Sequence, residues 1–211
     1  MKTKITVWIP AIIATVVALL LLAYYMVLSH GSGEVRMHAP GGVGRMSPPE
    51  GEGPRGGGEI FKTLGMIAVF LGAVSFSWFW FKKKLRSPSM LVRKIGKILH
   101  AVHKLMGWAT LSITSTHGFY FLITKPGDKN MYTGLAALVI LLMIAGYGLF
   151  IQKIRNKWMR TVHRWLGLLW VPILLLHAGG STIVAVIGSL AVGALVWLLE
   201  KIAVRSIPGE R

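Results

Sequence analysis

The sequence predicts an all-α integral membrane protein with six transmembrane helices. The 211-residue chain is 54% hydrophobic and its mean hydropathy is +0.60, which is unusual for a water-soluble domain. Apolar runs that are long enough, or nearly so, to cross a hydrocarbon core of about 30 Å recur six times. They occupy residues 5–28, 60–81, 98–123, 131–151, 161–177 and 182–200. Lys and Arg cluster in alternate loops between these runs.

The first run resembles a secretory signal in that Lys2 and Lys4 precede it. Its apolar stretch is longer than a signal core of about 7–15 residues, and no Ala-x-Ala site follows it. We therefore predict a retained transmembrane anchor over residues 1–30.

Residues 31–59 form the first outer loop and hold ten Gly and four Pro, so they are predicted to be disordered. Four side chains in or beside this loop are of the types that bind soft metals: His30, Met37, His38 and Met46. A flexible loop that happens to contain them is the simpler interpretation.

The other five runs are predicted to form a transmembrane bundle over residues 60–204, followed by a short tail at 205–211. The basic loop 82–97 connects the second and third runs. Its charges either stop translocation after the second span or also bind anionic lipid headgroups or a soluble partner. Both interpretations stay open.

Lys and Arg are distributed unevenly between the two sides of this bundle. With six spans and the N-terminus inside, 18 of the 24 lie on the inner side, and five of the seven acidic residues lie outside. This bias predicts a multi-pass protein of the cytoplasmic membrane with both termini in the cytoplasm. The net charge of +17 is then a topology signal, so the predicted partner is membrane lipid and not nucleic acid.

The chain has no cysteine, which excludes disulfides, iron–sulfur ligation, thiolate-ligated haem and Cys-based zinc sites within it. It also has no glycine-rich phosphate loop and no segment that could form a nucleotide domain. No flavin or NAD(P)H site is predicted.

Two histidine pairs share one spacing and one local sequence. His103 and His117 are fourteen residues apart, as are His163 and His177, and each first member lies in Val-His-(Lys/Arg)-x-x-Gly. Fourteen helical residues make about 3.9 turns and rise about 21 Å, so both imidazoles of a pair point the same way. Spans three and five run in the same direction. His103 is therefore predicted to face His163 near the cytoplasmic end, and His117 to face His177 near the outer end.

Ionisable residues within membrane spans are costly and are usually functional. Facing imidazoles at two depths suit two stacked b-type haems, so we predict the four histidines as axial ligands of the haem irons. Zinc or copper would need ligands that converge at one depth. Four hydrogen-bonded contacts between helices are the alternative, but the repeated spacing favours haem.

Residues near the inner histidines fit the same prediction. Gly107 and Gly167 each follow the inner histidine by four residues, where a side chain would collide with a macrocycle. Four cations lie at or below that level: Lys97, Lys104, Arg160 and Arg164. They are predicted to contact haem propionates or lipid phosphate, although ordinary interfacial snorkelling is an equal alternative.

His100 lies three residues before His103, and its direction differs from that of His117 by about 100°. We predict an interfacial residue or a propionate contact there. An axial ligand in place of His103 is the minor alternative.

With these histidines the chain resembles the ferric-reductase-like transmembrane family, which includes the membrane part of NADPH oxidases. The resemblance covers about residues 60–200 and rests on helix count and on the placement and spacing of the histidines. It implies two b-type haems ligated from helices three and five. The chain is also similar to other dihaem b cytochromes, such as those of quinol-oxidising complexes. It lacks the flavin- and nicotinamide-binding domain of full-length ferric reductases, which implies a separate electron donor.

The prediction for function is transmembrane electron transfer by a dihaem cytochrome, as one component of an oxidoreductase. A cytoplasmic flavoprotein or quinol would be the donor, and ferric iron, oxygen or a partner protein the external acceptor. Two alternatives stay open. One is the haem-bearing anchor subunit of a quinol-linked complex, with a quinone site. The other is a non-redox transport or metal-handling protein that uses the outer loop.

Overall fold

The computed structural model describes residues 2–31, 57–154 and 156–205, and within these ranges the chain forms six helices and no strand. The helices are α1 Lys2–Gly31, α2 Gly57–Phe81, α3 Met90–Thr124, α4 Asn130–Ile154, α5 Lys157–Ala178 and α6 Gly180–Arg205. The predicted all-α class is confirmed. Most of the predicted outer loop 31–59, with Met37, His38 and Met46, lies outside the described residues, as does the tail after 205.

Five of the described helices are long and apolar enough to cross a membrane. Their apolar segments are Ile5–His30, Gly58–Phe81, Asn130–Ile151, Lys157–Ala178 and Gly180–Val204. Large apolar side chains point outward along them; Val27, Ile60 and Ile187 are 67%, 61% and 62% exposed. Because lipid accommodates such surfaces and water does not, these helices indicate a multi-pass membrane protein in contact with lipid.

The third predicted run forms a helix, but this helix is not shown to span a membrane. Helix α3 has 35 residues but is not among the helices that are apolar enough to span. Hydroxyl and imidazole groups interrupt the outer half of the predicted run 98–123: Ser112, Thr114, Ser115, Thr116 and His117. The helix also starts earlier than predicted, so residues 90–97 of the predicted basic loop are its first turns.

Local sequence explains where α3 and α5 begin and end. The Ser89 hydroxyl accepts a bond from the backbone N–H of Val92, and the Asn156 side chain accepts one from the N–H of Trp158. These N-caps satisfy amide groups that the first helical turn leaves without partners. Gly179 ends α5 at a φ of +52°, and the chain turns directly into α6.

The helices form two antiparallel hairpins, α2–α3 and α4–α5, which lie side by side. α1 packs on α4, and α6 packs on α2. The main core lies between α1, α4 and α5 around Ile140, Val162 and Leu166, all at most 3% exposed. Since α3 and α5 are the second arms of their hairpins, they run in the same direction.

Candidate functional site

The four motif histidines meet as two pairs between α3 and α5. The ring centroids of His103 and His163 lie 6.2 Å apart with the ring planes at 81°. Those of His117 and His177 lie 6.3 Å apart with the planes at 83°. The structure thus brings together the partners that the spacing predicted, at two levels of nearly identical geometry.

Helix α2 holds the two histidines of α3. The Nδ1–H of His103 donates to the Ser75 carbonyl over 2.9 Å, and the Ser75 hydroxyl oxygen lies 3.0 Å from the same nitrogen. The Nδ1–H of His117 donates to the Phe61 carbonyl over 2.6 Å. Both imidazoles are therefore anchored on the backbone of the neighbouring helix.

Helix α4 holds the two histidines of α5 in the same manner. The Nδ1–H of His163 donates to the Ile144 carbonyl over 2.9 Å. His177 Nδ1 lies 3.0 Å from the hydroxyl oxygen of Thr133, a fully buried residue. That hydroxyl donates to the Asn130 carbonyl over 2.8 Å, so it accepts from the imidazole.

These partners fix the protonation of all four rings. A carbonyl oxygen only accepts hydrogen bonds, and the Thr133 hydroxyl already donates its proton to another group, so every Nδ1 carries the hydrogen. In the neutral form of each ring, Nε2 then carries the lone pair. A metal-binding histidine uses this arrangement, in which one ring nitrogen bonds the metal and the other donates to the protein.

The centroid separation of each pair can be compared with that of two imidazoles on one metal ion and that of two imidazoles joined by a hydrogen bond. Imidazoles on opposite sides of one metal ion have ring centres about 6.3 Å apart, because each metal–nitrogen bond is about 2 Å and each nitrogen is about 1.15 Å from its ring centre. An N–H···N bond of about 2.9 Å would bring the centres to about 5.2 Å. The observed 6.2 and 6.3 Å fit ligation.

Two imidazoles supply only two ligands. No group of three or more His, Cys, Asp or Glu that could hold a metal ion occurs among the described residues. A cofactor that brings its own metal ligands would suit such a pair, and the two imidazoles of each level would hold the iron of a haem. The residues present fit this group.

The predicted packing glycines lie on open parts of the helix surface. A Cβ atom at Gly107 would meet only the Ser75 hydroxyl oxygen, at 3.9 Å, and one at Gly167 would meet nothing within 4 Å. Packing within the protein thus gives no reason for glycine at these positions. Their role against a macrocycle stays a prediction.

Trp170 separates the two histidine levels, and the sequence analysis overlooked it. It lies seven residues from both His163 and His177, is 8% exposed, and donates its indole N–H to the Ala137 carbonyl over 3.0 Å. A Cβ at Gly72 of α2 would be 3.0 Å from its ring. Its position midway between His163 and His177 was the sequence signal that could have identified it.

The predicted propionate contacts are all exposed and lie on the cytoplasmic side under the predicted topology: Lys97, Lys104, Arg160 and Arg164. Arg164 donates from Nε to the Arg160 carbonyl over 3.1 Å. His100 is also exposed and packs against Trp78, with ring centroids 4.8 Å apart, so it does not join the His103–His163 pair.

Lys82, just beyond α2, adds a cation that the sequence analysis did not select. Partial burial lowers the pKa of its ammonium group, and the positive charges of Arg164 and Lys83 lower that pKa further. Its ammonium lies 4.8 Å from the centroid of the Phe79 ring. A concentration of like charge beside Arg164 suits an anionic group such as a propionate.

No protein-family model, no curated protein and no solved structure matches this chain. The resemblance to ferric reductases therefore rests on the histidines and the helices that carry them.

Proposed function

We propose that this protein is a dihaem b-type cytochrome that carries electrons one at a time across the membrane. One observation carries the proposal. Two pairs of imidazoles, each with its Nδ1–H bonded to a neighbouring helix, have centroid separations of 6.2 and 6.3 Å. Hydrogen-bonded helix contacts do not require this distance, whereas two axial ligands of one iron do.

The protein supplies ligands, orientation and insulation. His103 and His163 would hold the inner haem, and His117 and His177 the outer one. When bound, haem iron supplies the ferric–ferrous couple. The acceptors on α2 and α4 keep each Nε2 available and raise ligand basicity, and the apolar helices exclude water.

Helix α3 is proposed as the sixth transmembrane segment despite its polar groups. Its two histidines lie beside those of α5 at both levels, and fourteen helical residues rise about 21 Å. It would therefore cross the same layer as α5, which is apolar enough to span. Its imidazoles are bonded to α2, which lowers the cost of placing them there.

The charge distribution supports an orientation in which the His103–His163 level lies at the cytoplasmic side and both termini lie in the cytoplasm of a cytoplasmic-membrane protein. The cations near that level, Lys82 and Arg164, suit haem propionates. Electrons would come from a separate cytoplasmic flavoprotein or from quinol, and an external acceptor would take them. This is the membrane half of ferric-reductase-like chemistry.

The test is an absorption spectrum of the purified membrane protein. Dithionite-reduced protein should show a b-type α band near ~560 nm, and haem analysis should give two per chain. His117→Ala or His177→Ala should leave one haem, while the matched variant His100→Ala should keep two. Absence of the band from the wild-type protein would refute the proposal.

A second candidate is the haem-bearing subunit of a quinol-linked complex. A half-open apolar groove of about 470 Å³ between α1 and α5 favours it, since Val162, next to His163, lines its wall. Trp8 and Trp165 also line the groove, and the indole N–H of Trp8 is buried without a hydrogen-bond partner among the described residues. Reduction of the haems by a short-chain quinol, weakened in Trp165→Ala, would support this candidate. Equal reduction of both proteins would count against it.

A further inference from the structure

Two glycines on the neighbouring helices occupy positions where a side chain would collide with a histidine ring, and a third lies beside a ring at ordinary contact distance. A Cβ atom at Gly65 of α2 would be 2.6 Å from Cε1 of His117. One at Gly134 of α4 would be 2.8 Å from Cε1 of His177, and both distances are shorter than real Cβ contacts. A Cβ at Gly148 would be 3.5 Å from Cε1 of His163, which is an ordinary contact.

Gly65 and Gly148 are in register with the carbonyls that accept from the imidazoles. Gly65 lies four residues after Phe61, and Gly148 four after Ile144. In an α-helix the side chain of residue i+4 lies beside the carbonyl of residue i, which is why Ser and Thr can bond that carbonyl.

Thr15 shows this geometry in the same chain, since its hydroxyl donates to the Ala11 carbonyl. A glycine at i+4 therefore leaves the carbonyl open to a donor from another helix.

Gly134 also lies four residues after a carbonyl, but here a threonine hydroxyl stands between that carbonyl and the imidazole. It lies four residues after Asn130, whose carbonyl accepts from Thr133, and the Thr133 oxygen lies 3.0 Å from His177 Nδ1. The imidazole occupies the space of the glycine side chain and bonds the polar group beside it.

We infer that Gly65 and Gly134 are positioning residues of the outer haem. Each lets an imidazole lie against the adjacent helix so that its Nδ1–H finds an acceptor and its Nε2 faces the partner histidine. The inference rests on the proposed function, because it concerns the seating of haem ligands. The inference also assigns the tight glycine contacts to the outer level. At the inner level the described residues give one glycine contact with a motif histidine, between Gly148 and His163, and its distance is an ordinary 3.5 Å.

Single alanine substitutions test this assignment. Gly65→Ala and Gly134→Ala should each yield one haem per chain, with the remaining haem titrating at the wild-type inner potential. Gly148→Ala makes the same change on α4 at a looser contact and should weaken the inner haem less than Gly134→Ala weakens the outer one. Gly146→Ala, where a Cβ would meet nothing within 4 Å, is the control for helix propensity and should keep two haems.

A double variant separates collision with the ring from general damage to α2. In a His117→Ala background the ring is gone, so adding Gly65→Ala should leave protein yield and inner-haem content unchanged. A further loss in the double variant would overturn the inference, because the damage would not need the imidazole.

Two haems with unchanged potentials in both Gly65→Ala and Gly134→Ala would also overturn the inference. So would loss of both haems from either variant while Gly146→Ala keeps two, since the effect would not be confined to one level. A wild-type protein without haem would instead refute the proposed function. The two failures are therefore distinguishable.

Discussion

Two hydroxyl groups lie beside imidazoles, that of Ser75 at the inner pair and that of Thr133 at the outer pair, and removing them should have unequal effects. Thr133 supplies the hydrogen-bond acceptor 3.0 Å from His177 Nδ1, whereas Ser75 offers His103 both its hydroxyl, at 3.0 Å, and its carbonyl, at 2.9 Å. Thr133→Val keeps the shape of the side chain but deletes this hydroxyl, which leaves the Asn130 carbonyl as the remaining acceptor near His177. Ser75→Ala deletes the hydroxyl and leaves the backbone acceptor in place.

The expected magnitudes follow from these contacts. Losing the group that orients a metal-binding histidine typically lowers affinity ~10–100-fold, or about 1.4–2.7 kcal/mol. We expect this loss for the outer haem of Thr133→Val. For Ser75→Ala we expect less than about threefold at the inner haem, since a hydrogen bond with a replacement acceptor loses only ~0.5 kcal/mol.

The measurement is haem transfer from the detergent-solubilised protein to excess apomyoglobin, with the two haems distinguished by their potentials. Thr133→Val should also shift the outer potential positive, because a less basic imidazole stabilises ferric iron less. Equal haem loss from both variants, or loss confined to Ser75→Ala, would refute the reasoning from acceptor geometry.

Three further predictions concern the surroundings of the pairs. Trp170→Ala should lower stability by ~3–5 kcal/mol, seen as a lower Tm in detergent, because it empties the space between the levels; an unchanged Tm would contradict this packing role. Lys82→Gln should move the inner potential negative, since it removes a positive charge, and leave the outer one unchanged. In the wild-type protein the inner potential should fall as pH rises, because Lys82 loses its proton. Burial and Arg164 lower the pKa of Lys82, so the fall should occur at a lower pH than for an ordinary lysine, and Lys82→Gln should abolish it. The part-exposed ion pair of Lys84 with Glu200 should contribute little, so Glu200→Gln should change stability by less than ~1 kcal/mol; a larger change would contradict solvent screening.

The arrangement of the histidines could be predicted because it depends on periodicity alone. Equal spacing along two parallel helices sets equal depth, whatever their surroundings. The apolar character of α3 was overestimated, because the two imidazoles and the hydroxyl cluster around Thr114 lower its hydropathy. The proposed function requires polar ligands in this helix, whereas a spanning helix requires apolar residues. Composition alone therefore does not decide whether α3 crosses the membrane.

The acceptors of the imidazoles could not be predicted from the sequence. Phe61 and Ile144 contribute backbone carbonyls, which leave no trace in residue type. Thr133 and Gly134 look ordinary in an apolar helix, and their roles depend on which neighbour faces them. Sequence patterns within one helix identify candidate ligands, whereas the groups that orient them become visible only when two helices are packed.

Each histidine pair takes one member from the α2–α3 hairpin and one from the α4–α5 hairpin. On the proposed function, haem would therefore cross-link two halves of the protein that are synthesised in sequence. A ligand that binds only the assembled form stabilises it by about 2.7 kcal/mol at a free concentration 100 times its Kd. Haem supply during biogenesis would then control how many bundles assemble. In haem-starved cells the unassembled protein would be degraded by membrane proteases.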